Sequence, residues 1–511
     1  MKSCQRLPRL QRSNIMIKNN LPHYQLLIDG VWTEGSDSQV MQSTNPANGE
    51  QWATFACASA EDVDRAVKAA RRNLNSGPWA KMNATQRGAL LYRLAELVEQ
   101  NSQILGEIET TDSGKLAAET VSQSKYVASY YRYYAGLADK IEGATLPIDK
   151  PDMHVFTTPV PIGVVAAVVP WNAQMFLTAA KLGPALAAGC TVVLKASELA
   201  PAPMFELGKL IQEAGFPDGV VSVLTGDAPN CAIPLTSHHD IDRLAFTGGP
   251  EAAKHVIRNT AENFAVTSLE LGGKSPIIVF EDADIESAAN GLIAGNFGAS
   301  GQSCVAGSRA FIQRSILEEL SNKIAEKAKN IVIGDPQSST THIGPLCTLA
   351  QVECIEKTLA KAVEQGANIR FGGKRVPEYG SENYFQPTMV ECPNDQIETL
   401  KVEMFGPVMS LIPFDTEEEA IAMANDSVYG LGSGVFTQNI ARAHRVSNKI
   451  QSGICWVNTY RVTSPIAPFG GINQSGYGRE AGVQAVLDYI RTKTTWINTS
   501  SEPMSNPFVI R

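Results

Sequence analysis

Three short segments of the chain place reactive or polar side chains beside glycine and other small residues. Asn172 ends an apolar run, Glu270 precedes the paired glycines of residues 269–274, and Cys304 follows the small-residue loop 297–303. Covalent catalysis at a carbonyl carbon needs a thiolate, a carboxylate base and an N–H donor for the oxyanion. These three residues supply all three groups. Each alone is common as a core, capping or turn residue.

A fourth segment has the character of an anion-binding turn. Gly248 and Gly249 follow an apolar run and precede Pro250, which is well suited to the first position of a helix. The exposed N–H groups at such a helix start favour a pyrophosphate, and glycine lets the ligand approach the backbone. Taken alone the signal is weak, because glycine before a helix is common turn chemistry and the GxGxxG fingerprint is absent.

The elements that must position these groups alternate between strand and helix patterns, which is typical of an α/β protein. The helix pattern is clearest where Ser59 can cap a helix and where residues 204–214 repeat apolar positions on one face. Strands are predicted at 162–169, 191–195, 220–224, 243–247 and 266–271. Strand-helix-strand units at this spacing predict a parallel sheet that binds a nucleotide at its carboxyl edge.

Composition limits the class of protein. A chain of 511 residues is expected to form two or three domains, and 44% hydrophobic with 19% charged residues is typical of a globular enzyme. The net charge of −9 argues against a nucleic-acid partner. The uncharged stretch 161–180 is interrupted by glycine, proline and amide residues, so no membrane partner is expected.

Cysteine and histidine usage predicts neither a disulfide framework nor a metal site. The nine cysteines include no CxxC pair, and their number is odd. The pair His238-His239 is the one histidine cluster, and a surface loop explains it better than a metal centre. This usage fits a reducing compartment, and a cytoplasmic location is expected.

The amino-terminal 22 residues are basic, with Lys2, Arg6, Arg9, Arg12 and Lys18 and no acidic residue. A transit peptide has this character. A frayed tail or an overlong gene start is the preferred interpretation, with Met16 as the true beginning. The sequence does not decide among these origins for residues 1–15.

Together the motifs resemble the aldehyde dehydrogenase superfamily over residues 27–498. Further matching segments are Lys195-Ala196-Ser197-Glu198, Glu403-Met404-Phe405-Gly406-Pro407, Asn425 with Tyr429-Gly430-Leu431, Pro468-Phe469-Gly470-Gly471 and Ser475-Gly476-Tyr477-Gly478-Arg479-Glu480. The sequence is similar in particular to bacterial semialdehyde dehydrogenases of N-heterocycle breakdown, of the trigonelline type. Several independent motifs in the right order make a chance match improbable.

The resemblance implies oxidation of an aldehyde to a carboxylic acid with NAD(P)+. The Cys304 thiolate attacks the aldehyde, and the Asn172 amide and the Cys304 N–H hold the oxyanion. Hydride transfer leaves a thioester, which water activated by Glu270 hydrolyses. Lys181 resembles a family lysine that assists proton movement near Glu270, although a solvated helix lysine is the alternative.

The resemblance also implies the cofactor contacts. Lys195 and Glu198 reach the adenosine ribose, where a carboxylate favours NAD, with NADP as the alternative. Glu403 holds the nicotinamide ribose. The remaining cofactor contacts are expected from Trp171, Gly226, Gly248, Gly249, Leu271 and Phe405. The family usually has serine where Gly249 stands, and its absence removes one hydroxyl contact near the pyrophosphate.

Substrate selection is expected to depend on Ala173, Ala180 and Arg461. Ala173 and Ala180 are smaller than the family's usual tunnel residues, which suggests a bulkier or polar aldehyde. Semialdehyde enzymes of the family often carry arginine where Ala180 stands. Arg461 offers another anchor for a substrate carboxylate, with a solvent-facing arginine as the equal alternative.

Two other functions fit parts of the pattern. A CoA-acylating dehydrogenase needs no water-activating base, so Glu270 argues for hydrolysis. A non-catalytic structural member of the family can lose its nucleophile, whereas Cys304, Glu270 and Asn172 are all present. A cofactor-independent esterase activity is a side reaction open to the same groups.

By resemblance, residues 1–137 and 161–272 form the Rossmann-like NAD(P)-binding domain and 273–487 the α/β catalytic domain. Residues 138–160 and 488–511 form a β-arm. Such an arm completes the sheet of a second copy, so a homodimer or homotetramer is expected.

Overall fold

The computed structural model describes residues 16–18 and 21–509. The preceding segment, with the predicted tail or gene-start artefact at residues 1–15, lies outside the described residues.

The strands of the described residues, in chain order, are β1 (Met16–Lys18), β2 (Leu21–Tyr24), β3 (Leu26–Ile28), β4 (Val31–Thr33), β5 (Val40–Thr44), β6 (Gln51–Ala56), β7 (Thr145–Leu146), β8 (Met153–Pro161), β9 (Val164–Val168), β10 (Thr191–Lys195), β11 (Val221–Leu224), β12 (Arg243–Thr247), β13 (Val266–Glu270), β14 (Pro276–Val279), β15 (Arg309–Gln313), β16 (Asn368–Phe371), β17 (Thr388–Glu391), β18 (Val408–Phe414), β19 (Gly432–Phe436), β20 (Ile454–Val457), β21 (Gly476–Tyr477) and β22 (Ile490–Asn498).

The α-helices of the same residues are α1 (Ala60–Asn75), α2 (Pro78–Lys81), α3 (Ala84–Gln100), α4 (Ser102–Ser113), α5 (Ala117–Leu137), α6 (Gln174–Ala188), α7 (Ala202–Ala214), α8 (Ile233–Thr236), α9 (Pro250–Thr260), α10 (Ile285–Phe297), α11 (Leu317–Ala328), α12 (Leu349–Glu364), α13 (Glu398–Lys401), α14 (Glu417–Asn425), α15 (Ile440–Lys449) and α16 (Gly482–Leu487).

The larger sheet has the order β21-β13-β12-β9-β10-β11-β3-β4. Its five central strands, β9 to β13, pair in parallel, so the predicted parallel sheet is confirmed. The chain runs from β9 outward through β10 and β11, then returns to the other side of β9 with β12. The strand order therefore reverses between β9 and β12, and a crevice opens beyond their carboxyl ends, where ligands bind in such sheets.

The second sheet has the order β16-β17-β18-β15-β14-β19-β20, and all its pairings are parallel except the edge pair β16–β17. Parallel sheets need cover on both faces. Two separate clusters of buried apolar side chains provide it here, while a single large cluster surrounds the first sheet. The cavities described below lie between the core of the first sheet and that of the second.

The boundary of the two domains differs from the sequence-based division. β21, placed in the predicted catalytic domain, pairs antiparallel with β13 at the edge of the larger sheet. Helix α16 contributes Ala485 and Val486 to the apolar core around that sheet. Residues 476–487 thus return to the larger sheet, because apolar side chains of this segment are buried there, and the local sequence does not reveal this contact.

Two further sheets complete the fold. β22 pairs with β8 along nine residues, and β7 flanks β8, which gives a three-stranded sheet. The order β1-β2-β6-β5 forms a four-stranded sheet that was not predicted. The predicted Ser59 cap is confirmed, since its side chain accepts from the Asp62 N–H at the start of α1. No helix in the described ranges is both long and apolar enough to cross a membrane.

Candidate active site

Two cavities meet at the predicted nucleophile. The first, of about 360 Å³, lies in the crevice at the strand-order reversal and is lined by Pro170, Trp171, Asn172, Leu177, Leu199, Thr247, Gly248, Gly249, Glu270, Leu271, Gly272, Cys304, Thr348, Gln351, Glu403 and Phe405. The second, of about 540 Å³, shares Asn172, Leu177 and Cys304 with the first and opens on the other side. A reactant in each cavity would therefore come together at the Cys304 sulfur.

The loop before Cys304 is strained and firmly held. Ala299 and Ser300 have φ values of 54° and 53°, in the left-handed region that non-glycine residues seldom adopt. The Ala299 N–H donates to Glu119 Oε1 at 2.9 Å, and the Ser300 hydroxyl donates to the Gly344 carbonyl at 3.1 Å. Such strain persists only where surrounding contacts enforce it, and here they fix the backbone that presents the cysteine.

Cys304 is partly exposed at the junction of the cavities. Burial of the thiol, followed by the carboxylates of Glu403 and Glu270, raises its pKa to about 12, while Arg461 acts in the opposite direction. At neutral pH the resting sulfur therefore carries its proton. A nearby group must accept that proton when the sulfur attacks.

Asn172 lies in the turn between β9 and α6, where the chain leaves the carboxyl edge of the larger sheet. Its Nδ2 donates to the carbonyl of Gln302 at 3.1 Å. This bond ties the amide to the loop that carries Cys304 and leaves its second N–H free to bind an oxygen. A neutral donor at this place suits an oxyanion formed next to the sulfur.

Glu270 ends β13 and is only 3% exposed. Neither of its carboxylate oxygens has a hydrogen-bond partner among the described residues. Burial, followed by the charge of Glu480, raises the pKa of Glu270 well above its ordinary value, whereas Lys181 and Arg479 lower it. A buried carboxyl with free oxygens and a raised pKa is typical of a general base.

Lys181 is fully buried on α6, so the alternative of a solvated helix lysine is wrong. Its Nζ donates to Thr247 Oγ1 at 2.6 Å and forms an ion pair with Glu480. Thr247 is the register partner of Glu270 across β12 and β13. The ion pair therefore lies beside the candidate base and sets the charge around it.

Each of the paired glycines after Glu270 lies where a side chain would clash, and the clashing group differs between the two. A Cβ on Gly272 would lie 1.9 Å from Glu403 Oε2, and one on Gly273 would lie 2.6 Å from the Cys304 carbonyl oxygen. The Gly273 N–H donates to Glu403 Oε1 at 2.9 Å. This turn thus holds both the carboxylate expected at the nicotinamide ribose and the backbone of the cysteine.

Glu403 and Phe405 form the far wall of the first cavity. The Phe405 ring meets Trp171 edge-on, with ring centroids 5.5 Å apart. Burial raises the pKa of Glu403 to about 7, while the Gly273 N–H and Lys274 lower it. Glu403 Oε2 accepts no hydrogen bond within the described chain, so it is available to a ligand hydroxyl.

The predicted cofactor residues fall into two groups. Trp171, Gly248, Gly249, Leu271, Glu403 and Phe405 line the first cavity. Lys195 and Glu198 do not line it. Lys195 ends β10 and Glu198 follows it, and Lys195 Nζ donates to Glu198 Oε2 at 2.9 Å, with Glu198 half-exposed. Gly226 follows the neighbouring β11, so this second group lies along the same carboxyl edge.

The predicted substrate residues also divide. Ala173 and Arg461 line the second cavity, and Arg461 Nη1 donates to the Ala294 carbonyl at 3.2 Å. Ala180 is 3% exposed inside α6 and lines neither cavity. The structure therefore does not bring Ala180 to the substrate side.

Comparison with known proteins gives one consistent result. The profile of the aldehyde dehydrogenase family matches residues 32–495. The chain belongs to this family. The dehydrogenase is 53% identical over 492 residues, 96% of its length and 100% of the relative's, to the (Z)-2-((N-methylformamido)methylene)-5-hydroxybutyrolactone dehydrogenase of Acinetobacter baylyi.

Solved structures agree with this assignment. An NAD+ complex of aldehyde dehydrogenase from Bacillus cereus matches with a TM-score of 0.91 at 39% identity, covering 95% of this chain and 100% of that one. Betaine aldehyde dehydrogenase from Staphylococcus aureus in complex with NAD+ matches with a TM-score of 0.93 at 35% identity, covering 95% and 97%. The predicted fold and enzyme class are confirmed, and the expected cofactor agrees with these complexes.

Several residues of the dehydrogenase's site escaped the sequence-based prediction of roles. Glu480 lies in a motif that was quoted without a role, and its partnership with Lys181 spans 299 positions. Helix α5 and the segment before it contribute Lys115, Ala118, Glu119, Ser122, Gln123 and Tyr126 to the second cavity. No motif marks these residues, although their spacing of about four along a helix places them on one face.

The His238-His239 pair lies before β12, away from both cavities. Its rings stack with centroids 4.7 Å apart, and ligand atoms of the pair and of Asp240 lie within 4.8 Å of one another. His238 also contacts Asp64. The expectation that the dehydrogenase has no metal site stays a prediction.

Proposed function

We propose that the dehydrogenase oxidises a polar aldehyde to its carboxylic acid through a thioester on Cys304. The observation that carries this proposal is the position of Cys304 at the junction of two cavities, beside a free amide donor and an unpaired buried carboxyl. One cavity suits a dinucleotide and the other an aldehyde. This arrangement lets the sulfur, a hydride acceptor and water act on one carbon.

The first cavity fits the nicotinamide part of NAD. Glu403 Oε2 is free for a ribose hydroxyl. Gly249 immediately precedes α9 and has open space where a Cβ would lie, which suits an approaching pyrophosphate. Lys195 and the half-exposed Glu198 would take the adenosine ribose, where the carboxylate favours NAD over NADP. Bound NAD supplies the hydride acceptor.

In the first half-reaction, the Cys304 sulfur bonds to the aldehyde carbon and its proton moves to a carboxylate, for which Glu270 has free oxygens. The carbonyl oxygen becomes an oxyanion, held by the free N–H of Asn172 and the Cys304 backbone N–H. Loss of the carbon-bound hydrogen with its electron pair leaves a thioester. The neutral donors stabilise the oxyanion without trapping it permanently.

In the second half-reaction, Glu270 takes a proton from water, which adds to the thioester carbon. The sulfur leaves with the bonding electrons and the acid is released. The raised pKa of Glu270 makes it a better base than an ordinary carboxylate once it is ionised. Hydrolysis is favoured over transfer to CoA because this base faces the cofactor cavity beside the sulfur.

We propose a carboxylate-bearing or amide-bearing semialdehyde as substrate. Ala173 leaves room at the cavity wall, and the planar guanidinium of Arg461 suits bidentate binding of a carboxylate. The named activity of the 53% identical relative, on a small oxygen-rich nitrogen compound, supports the same class.

Two experiments test the proposal. Stopped-flow measurement of NADH should give a rapid burst and slow turnover in Glu270→Gln, because thioester formation continues while hydrolysis slows, and no NADH in Cys304→Ala. Loss of the burst in Glu270→Gln would assign thiol activation to Glu270 as well.

A carboxylate semialdehyde and its methyl ester, compared on wild type and Arg461→Ala, test whether Arg461 binds the substrate carboxylate. Equal losses for both substrates would remove that role.

We also propose that the arm sheet of β7, β8 and β22 joins copies of the chain into a homodimer or homotetramer. β22 exposes Trp496 and Ile497, at 60% and 45%, on the surface of a sheet whose edges are open. Exposed apolar side chains on such a sheet favour association. Light scattering of Trp496→Glu should report a smaller particle than wild type.

A further inference from the structure

The second cavity has a polar wall formed by helix α5 and by Lys115, which precedes it. Lys115 is 3% exposed, and its Nζ donates to Glu109 Oε1 at 2.9 Å. The same ammonium donates to Gln123 Oε1 at 3.2 Å. Lys115 is therefore held in place by a buried carboxylate and in turn holds the Gln123 side chain.

This contact determines which way the Gln123 amide faces. An ammonium group can only donate hydrogen bonds, so the atom of Gln123 that faces it must be the oxygen. The amide nitrogen then lies on the other side. Gln123 Nε2 has no hydrogen-bond partner in the described chain and is not among its buried polar atoms, so its N–H groups are available to the cavity.

Glu119, one helical turn before Gln123, does not take up the Gln123 N–H groups. Glu119 uses Oε1 to accept from the Ala299 N–H, and its Oε2 is shielded from solvent. On the opposite side, Arg461 spends Nη1 on the Ala294 carbonyl and keeps its other donors. The polar groups that a substrate meets at these two places are therefore both donors.

We propose that Gln123, oriented by Lys115, is a specificity-determining residue that donates a hydrogen bond to a carbonyl oxygen in the chain of the aldehyde substrate. With Arg461, it selects an aldehyde that carries an acceptor oxygen, such as an amide carbonyl, in addition to a carboxylate. This inference rests on the proposed function and names the chemistry of its substrate. Gln123 does not touch the reacting carbon, so it acts on substrate binding.

The test compares 3-acetamidopropanal with hexanal, which has the same chain length but no amide. Replacing the donor by an apolar group in Gln123→Met should raise KM for 3-acetamidopropanal about threefold to tenfold, as expected for one neutral hydrogen bond. KM for hexanal should stay within about twofold, because its binding lacks that bond. Gln123→Glu, which pairs with Lys115 and presents an acceptor, should show the larger loss on the amide.

Gln103→Met, at an exposed position on α4 outside both cavities, is the matched control and should change neither KM. Equal losses on both aldehydes in Gln123→Met would mean a structural role, and unchanged KM values would mean no role; either result overturns the inference. Wild-type turnover of hexanal separates this from the proposed function. If wild type oxidised neither aldehyde nor any other, the proposed function and the inference would both fall.

Discussion

Gly272→Ala tests whether the turn after Glu270 serves to position the Glu403 carboxylate. The new methyl carbon would lie 1.9 Å from Glu403 Oε2 and 2.9 Å from Oε1. Real Cβ contacts of this kind stay beyond 3.0 Å, so the carboxylate must move by more than an ångström. Because the obstacle is the end of a flexible side chain, the fold is expected to survive.

The displaced carboxylate loses the bond from the Gly273 N–H and its alignment toward the cofactor cavity. A hydrogen bond to a charged group contributes about 1.5–3 kcal/mol, which corresponds to a roughly 10- to 150-fold weaker Kd for NAD. Titration of NAD against intrinsic fluorescence measures this Kd without turnover. Thermal unfolding checks that the variant is folded.

The double variant Gly272→Ala with Glu403→Ala isolates the cause. If the methyl group acts only through the carboxylate, removing the carboxylate makes Gly272→Ala nearly silent, and the double variant binds NAD like Glu403→Ala alone. Additive losses would locate the effect elsewhere in the turn. A Gly272→Ala enzyme with wild-type NAD affinity would refute the reasoning outright.

Three further outcomes are expected. Burial and, after it, the charge of Glu480 raise the pKa of Glu270, and Glu480→Gln removes that charge. Since the active base is the ionised form, thioester hydrolysis rises with pH through that pKa, and the pH–rate profile of the variant should move to lower pH. An unmoved profile would remove Glu480 from the electrostatics of the base. Gly249→Ser, at a position with φ of −75° and nothing within 4 Å of a Cβ, should tighten NAD about twofold to tenfold through an added hydroxyl bond, measured by titration; weaker binding would contradict this. Glu119→Ala frees the Ala299 N–H and should lower kcat by about tenfold, with Glu119→Gln restoring most of it because its amide oxygen still accepts; equal rates in the two variants would show that the bond is dispensable.

The local pattern of the sequence was sufficient for the parallel core of the larger sheet. Apolar runs bounded by turn residues predicted β10 and β12 at their observed bounds and the others to within two residues of each end. Burial on both faces forces such strands to be continuously apolar, which makes them readable without tertiary knowledge. The same reasoning did not place β21, a two-residue strand whose position depends on its partner β13.

The sequence predicted the reactive residues of the site but not their long-range contacts, because only the former depend on local pattern. Residue type and short spacing marked Cys304, Glu270 and Asn172, because chemistry restricts which side chains can act. They did not reveal that Lys181 is buried against Glu480, or that Ala180 is turned away from both cavities.

The sequence by itself determined the reactive groups, the parallel strands and the turns that end them, since each of these depends on neighbouring residues. Only the tertiary structure decided how groups far apart in the chain share one space: the ion pair beside Glu270, the carboxylate against Gly272, and the Lys115–Gln123 contact in the substrate cavity. Those pairings depend on how helices and sheets pack. Packing depends on many small contacts between residues far apart in the chain, so no short stretch of sequence predicts it.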